Sequence, residues 1–277
     1  MNYRHSYHAG NVADVFKHVV LVLVLRALHK KGTPFCVVDT HAGSGVYQLG
    51  SPGEFEQGIG LVWPEREQWA DLTDYFSVIE KVNGKGGIKY YPGSPFIIRE
   101  YLRAQDRAVF MELEPGEYVN LKTNFAGIRN VSAHHVDAWN AIKAFVPPKE
   151  NRGVVLMDPP FEAANEFDNV VAALTQGVKH WRNGIYMVWY PFKSRMTVHK
   201  FHQAVRALKM EAQAIEFMTL PDDVENRLNG SGIVLINAPW GVMDALRELL
   251  SPLAGRLAGV SGKPEIRFVD LRGSYTE

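Results

Sequence analysis

The residues whose types and spacing carry the most chemistry are Asp158-Pro159-Pro160-Phe161, directly after the apolar run Val154-Val155-Leu156-Met157. That run, with two β-branched residues, reads as a short strand buried on both faces, the pattern of an interior strand in a parallel sheet. Each proline fixes its own φ and has no N–H, so the backbone after Asp158 is stiff and leaves its carbonyls free. Such a ledge holds a carboxylate, a carbonyl and an aromatic face toward one flat, amine-bearing ring. The segment therefore points to methylation of an exocyclic amine on a base, with Asp158 and Pro159 bonding the amine and Phe161 stacked on the ring. A plain strand end with a turn acid is the alternative.

A second stretch suits a cofactor. Phe35-Cys36-Val37-Val38-Asp39 reads as a buried strand, followed by the turn Thr40-His41-Ala42-Gly43-Ser44-Gly45. In an open α/β sheet the turn after the first strand faces the edge where ligands bind. Gly43 and Gly45 let the backbone approach a ligand without a Cβ in the way. Gln48 stands where a third dinucleotide-fingerprint glycine belongs and no Lys-Ser/Thr follows, so a nucleoside without phosphates fits better than a dinucleotide or a P-loop ligand. Glu112, ending the run Ala108-Val109-Phe110-Met111, is placed to take ribose hydroxyls, and Asp137–Ala138, after Val131–Val136, to meet the adenine amine. Ser94 before Pro95 reads as a helix N-cap, and the same helix start could accept a ligand carboxylate. His41, between strand and glycines, either touches the ligand or is an idle turn residue.

These groups need a sheet to gather them. Asn11 is a candidate N-cap for a helix to about Lys31, with Val12, Val15, Phe16, Val19, Val22 and Leu23 at three- and four-residue steps. The unbroken apolar run Val19–Leu25 leaves a buried strand as the rival for those residues. A nucleotide-binding unit places its ribose acid roughly 20 residues after the glycines, yet the next strand ending on an acid stops only at Glu112. The stretch between has no β pattern and carries, from Glu54 to Glu80, seven acids against Arg66. It reads as a mostly helical subdomain, residues 48–91, with Phe55, Ile59, Leu61, Trp63 and Trp69 forming its own small contact surface. Later segments predict helices over 96–103, 118–125, 139–145, 163–178, 198–209 and 242–250, and strands over 184–190, 211–220, 232–238 and 265–269. The fold class is thus α/β: a Rossmann-like doubly wound sheet with an antiparallel end and a small helical insertion after the first strand. The main domain takes residues 1–47 and 92–277, with 1–10 as a polar, aromatic tail.

Composition narrows the partners. The chain has 277 residues, is 46% apolar and 22% charged, and has zero formal net charge, so any nucleic acid must be met by a local patch. One span supplies it. Between Asp168 and Glu211 there is no acid, but there are Lys179, Arg182, Lys193, Arg195, Lys200, Arg206 and Lys209. These are expected to flank the catalytic corner and track phosphates, a solvated basic face being the other reading. Cys36, the single cysteine, excludes an internal disulfide and a thiolate-rich metal site. His5-x-x-His8, His134-His135 and His199-x-x-His202 lack acids or thiolates to complete a metal set, so no metal is expected. No signal peptide or membrane span is read, which predicts a cytoplasmic protein.

At this point the residues resemble a known family. The glycine turn, the Asp-Pro-Pro-aromatic corner and the order of acids are similar to S-adenosylmethionine-dependent adenine-N6 amino-methyltransferases. More narrowly, Tyr3-Arg4-His5-Ser6-Tyr7-His8-Ala9-Gly10-Asn11, Ala13-Asp14-Val15-Phe16-Lys17-His18, Asp39-Thr40-His41-Ala42-Gly43 and Tyr47-Gln48-Leu49 resemble the bacterial 23S ribosomal RNA adenine-N6-methyltransferase family. The likeness runs from residue 3 to about 240. It implies a Rossmann-like methyltransferase domain with a small helical insertion, and S-adenosyl-L-methionine as cofactor. It implies Asp158 as the catalytic acid, also beside the cofactor, and Phe161 as the stacking ring. Lys17, His18, His41, Gly43, Ser94, Glu112, Asp137 and Ala138 are implied around the cofactor, and Tyr3 and His5 at the RNA. Two departures stand out: Phe161 replaces the frequent tyrosine of that corner, and Ala138 offers only its backbone. The expected substrate is ribosomal RNA, acted on by a monomer. The alternatives are a DNA adenine-N6 or cytosine-N4 amino-methyltransferase and a non-catalytic cofactor-sensing RNA-binding protein.

Overall fold

A computed structural model of the chain describes residues 8–84, 86–221, 224, 227–257 and 264–273. The tail residues Tyr3 and His5 lie outside them. The first helix, α1 (Val12–His29), starts where Asn11 Oδ1 accepts the Asp14 N–H at 2.9 Å. From Asp14 to Leu25 every residue of α1 is buried. The apolar run that also suited a strand is therefore a helix covered on all sides.

The strands follow as β1 (Cys36–Asp39), β2 (Val46–Gln48), β3 (Tyr90–Pro92), β4 (Arg107–Glu112), β5 (Val131–His135), β6 (Gly153–Met157), β7 (Ile185–Phe192), β8 (Ala212–Met218), β9 (Gly230–Ile236) and β10 (Glu265–Asp270). Eight of them form one sheet in the order β10-β8-β9-β7-β6-β1-β4-β5. β5, β4, β1, β6 and β7 are parallel, and β9 and β10 run antiparallel to their neighbours. β6 is an interior strand with every residue buried, as its unbroken apolar run predicts. The remaining longer helices are α2 (Thr73–Asn83), α3 (Ser94–Glu100), α4 (Pro115–Asn124), α5 (Glu166–His180), α6 (Arg195–Ala207) and α7 (Val242–Leu257). One face of the sheet packs on α1, α3 and α7, the other on α5 and α6. This is a doubly wound, Rossmann-like α/β fold. The chain reverses at Asp39, Glu112 and Asp158 along one edge, where the site must lie.

Three features differ from expectation. β2 and β3 pair antiparallel at the two ends of the 48–91 stretch, Val46 opposite Pro92 and Gln48 opposite Tyr90, so a short ribbon closes it. Within that stretch Ile59, Trp63, Leu72, Tyr75 and Phe76 share one apolar core with α1 and α7. They do not form a surface of their own. The last helix continues to Leu257 with Pro252 inside it, because Leu246, Leu249, Leu250 and Leu253 are buried on one stripe that extends past the proline.

Candidate active site

Asp158 follows β6 directly, with its side chain 17% exposed. Its Oδ2 is bonded by the Lys17 ammonium, which also donates to Asp14 Oδ1 at 2.8 Å. Asp14 Oδ2 in turn accepts the Gly10 N–H at 2.9 Å. Burial alone would lower the Lys17 pKa, but the carboxylates of Asp14 and Asp158 outweigh it and hold it above the ordinary lysine value. The cation is thus permanent and fixes one oxygen of Asp158. The other, Oδ1, has no protein partner among the described residues.

On the neighbouring strand Asp39 is fully buried, and its Oδ2 has no hydrogen-bond partner among the described residues. Burial raises its pKa to about 7, with Asp158 adding to the rise. The Ser94 hydroxyl, the His41 N–H and Lys17 act against it. Ser94 does not cap α3: the N-cap position is Gly93, without a side-chain bond, and Ser94 is the first helical residue. Its hydroxyl is turned toward Asp39 instead.

His41 is fixed by its neighbour. Thr40 Oγ1 lies 2.7 Å from His41 Nδ1 and 3.0 Å from the Leu156 carbonyl, which also accepts the Thr40 N–H at 3.0 Å. Burial pushes the ring's pKa down to about 3, so it is neutral at ordinary pH. Trp139 leans on it with centroids 4.8 Å apart and donates its own N–H to buried Glu166 at 3.0 Å.

Glu112 accepts the N–H groups of Gly43 and Glu114, each at 2.7 Å. Burial raises its pKa and those backbone bonds oppose the rise. Gly43 has φ +61°, and a Cβ there would strike the Tyr47 hydroxyl. The turn's own packing demands that glycine, whatever approaches it from outside. Asp137 caps the helical turn Ala138–Ala141 by accepting the Trp139 N–H at 2.9 Å, which buries Ala138 beside it.

Phe161 closes the corner with φ +51°, a left-handed conformation that a non-glycine residue keeps only when its surroundings hold it. Its ring sits against Phe167 at 4.8 Å and Trp189 at 5.8 Å. The Trp189 Nε1–H is buried without an acceptor among the described residues. Sequence reasoning missed Phe167 and Trp189 as supports. The aromatic end of β7, Trp189-Tyr190-Pro191-Phe192, was the available signal, since Met157 pairs with Val188 and Trp189 therefore borders Asp158. It also passed over Asp39, which ends its strand on an acid as Glu112 does.

The structure thus brings Lys17, His41, Ser94, Glu112, Asp137 and Asp158 toward one sheet edge, while His18 is buried on α1 against Tyr91. The basic span does not stay with them. Lys193 and Arg195 follow β7 at this edge, but α5 and α6 run back across the sheet and carry Lys179, Arg182, Arg206 and Lys209 to the opposite one. There Arg182 donates to the Lys209 carbonyl at 3.1 Å and Arg206 to the Asp270 carbonyl at 3.1 Å. Six of the seven bases thus fall at two opposite edges, with Lys200 midway along α6, because each helix spans the sheet from edge to edge. Among the described residues no cluster of three or more His, Cys, Asp or Glu is arranged to hold a metal. No helix among them is long and apolar enough to cross a membrane.

Comparison with known proteins gives consistent matches. Residues 32–269 match the family described as Ribosomal RNA large subunit methyltransferase D, RlmJ. The chain is 39% identical over 264 residues to "Ribosomal RNA large subunit methyltransferase J" of Haemophilus influenzae, covering 93% of this chain and 94% of that protein. It is 37% identical over 263 residues to the protein of the same name from Escherichia coli K12, with the same coverage. The crystal structure of protein LPL1258 from Legionella pneumophila superposes with a TM-score of 0.89 at 31% identity, over 97% of this chain and 99% of that one.

Proposed function

The chain belongs to the family of ribosomal RNA large subunit methyltransferases J, and from that membership we propose that it methylates the exocyclic N6 amine of an adenine in 23S ribosomal RNA, using S-adenosylmethionine. The observation that carries the reading is the Asp158 corner: a carboxylate at the end of an interior strand, one oxygen tied to Lys17 and the other open. The residues beside it fit a cationic nucleoside. Asp39 Oδ2, without a hydrogen-bond partner among the described residues, and the neutral His41 ring stand beside it, and Glu112 lies along the same edge. Lys17, His18, His41, Gly43, Ser94, Glu112, Asp137 and Ala138 would hold the cofactor. When bound, S-adenosylmethionine supplies an electrophilic methyl group.

The lone pair of an adenine amine is delocalised into its ring, which makes it a poor nucleophile. Asp158 Oδ1 and the Pro159 carbonyl each accept one amine N–H and draw the nitrogen toward a tetrahedral geometry. Asp158 takes the proton that the amine loses. Lys17 keeps that carboxylate from rotating away, and much of the rate comes from such positioning. The base has to leave its stack to reach the corner, where Phe161 holds its face. Tyr3 and His5 are assigned to the RNA, and the working unit is a single cytoplasmic chain. Tritiated-methyl transfer to ribosomal RNA against genomic DNA, followed by nucleoside analysis, tests the substrate. Asp158→Asn is expected to retain cofactor binding and lose turnover; normal turnover in that variant would remove Asp158 from the scheme.

A further inference from the structure

The segment closed by β2 and β3 has no role in the scheme so far, yet two buried tyrosine hydroxyls connect it to His18, a residue assigned above to the cofactor. His18, on α1, is 1% exposed, and its Nδ1 stands 2.9 Å from the Tyr91 hydroxyl. The two rings stack at 5.5 Å with 24° between their planes. The Tyr91 hydroxyl lies 3.0 Å from that of Tyr75 on α2, and both tyrosines are fully buried. Burial holds both phenols well above their ordinary pKa, so each keeps its proton and can donate to one neighbour while accepting from the other.

The same segment also grips the start of α1. Glu54 accepts from the Asn11 side chain at 2.9 Å and pairs with His8 at 2.9 Å, and the Ile59 N–H donates to the Gly10 carbonyl at 2.8 Å. A Cβ on Gly58 would stand 2.1 Å from that carbonyl, so the two backbones are pressed together. Two apolar residues at 75 and 91 would fill the core equally well. A hydroxyl in each place, aligned on a histidine ring nitrogen, serves the ring's orientation.

We propose that Tyr75 and Tyr91 are positioning residues, through which the inserted segment sets the orientation of the His18 ring for the cofactor. This rests on the assignment of His18 to the cofactor made above, and a binding measurement separates the two. The probe is S-adenosylhomocysteine, titrated calorimetrically into the full chain and into His18→Phe, Tyr91→Phe, Tyr75→Phe and the double variant His18→Phe/Tyr91→Phe. Each change keeps an aromatic ring, and thermal melting monitors folding. Losing a single hydrogen bond corresponds to about two- to tenfold in affinity. Tyr91→Phe and Tyr75→Phe are expected to weaken the probe within that range, Tyr91→Phe more strongly, with kcat at saturating cofactor unchanged. In the His18→Phe background, Tyr91→Phe is expected to add nothing.

Unchanged affinity in both tyrosine variants, with His18→Phe weakened, would overturn the positioning role and leave the His18 assignment standing. An equal loss from Tyr91→Phe with and without the histidine would also overturn it, since a merely structural tyrosine acts that way. Wild-type affinity in His18→Phe would overturn the His18 assignment and the positioning role with it.

Discussion

Replacing Lys17 by Met removes a charge while keeping an unbranched chain of similar length, and it takes away the cation that Asp14 and Asp158 share. Both carboxylates sit inside the fold, their side chains 8% and 17% exposed. Removing one partner of a buried ion pair costs about 3–5 kcal/mol, mostly because the surviving charge is uncompensated. Asp14 keeps its bond from the Gly10 N–H and Asp158 keeps some contact with water, so the lower end, about 3 kcal/mol, is expected. For a chain of this size that lowers the thermal midpoint by about 6 °C, at roughly 2 °C per kcal/mol.

The sign of the pH dependence follows from which groups bind protons on folding. In the wild type the folded-state pKa of Lys17 is raised, so its contribution is present at every pH below the unfolded value of about 10.4 and is lost only in strong alkali. The gap between variant and wild type is therefore fully present at pH 8 and shrinks only in strong alkali. Urea titration at pH 8 measures it. A loss below about 1 kcal/mol at pH 8 would refute the view that Lys17 neutralises this pair.

Phe161→Ala is expected to lower kcat/KM on ribosomal RNA about ten- to a hundredfold in single-turnover assays, the stacking of one base on an aromatic ring being worth about 1–3 kcal/mol; Phe161→Tyr should retain activity. Lys193→Ala should reduce the slope of log binding constant against log salt by about 1, and Lys209→Ala, at the far edge of the sheet, should leave it unchanged in filter-binding assays. Gly232→Ala would bring a Cβ within 2.1 Å of the Tyr190 ring, whose hydroxyl bonds His202 at 2.9 Å and Glu216 at 3.0 Å; a loss of about 3 kcal/mol is expected in urea. Asp39, its pKa raised by burial to about 7, holds a proton folded that it has lost unfolded above about 3.9. Its contribution to stability therefore falls as pH rises between those values, and Asp39→Asn should melt higher relative to wild type at pH 8 than at pH 4.5.

What the sequence made legible were features carried by a single local pattern. The fully apolar β6 and the Asn11 cap each follow from a few adjacent residues, and the structure has them where the pattern puts them. Glu112 and Asp158 could be placed on one edge because parallel strands that end on acids must end together. What stayed hidden depends on contacts between distant segments. A ribbon of three residues per strand, such as β2 with β3, is too short for alternation to register. Ser94 satisfied every local rule for a cap, yet a buried Asp39 on another strand draws its hydroxyl away. Tyr75 and Tyr91 carry no signal in the sequence, because only the fold brings His18 to them. The basic span misled for a related reason: its one-sided composition was real, but helices that cross the sheet distribute it over two edges.

On the proposed function, the charge distribution lets one edge serve two ligands of opposite character. Four acids, Asp14, Asp39, Glu112 and Asp158, lie toward this edge, two of them bonded to Lys17, so the interior of the site favours a ligand bearing positive charge and hydrogen-bond donors. A phosphate would be repelled from the same place. Cations that can hold phosphates, Lys193 and Arg195, stand outside it at the start of α6. On that function an RNA strand would be held at the rim with its backbone kept from the acids, and the part passing inward would be the uncharged base. Extrusion of the adenine from its stack would then follow from electrostatics as much as from reach, and Phe161, set between Phe167 and Trp189 with φ +51°, would be the surface that the base lies against.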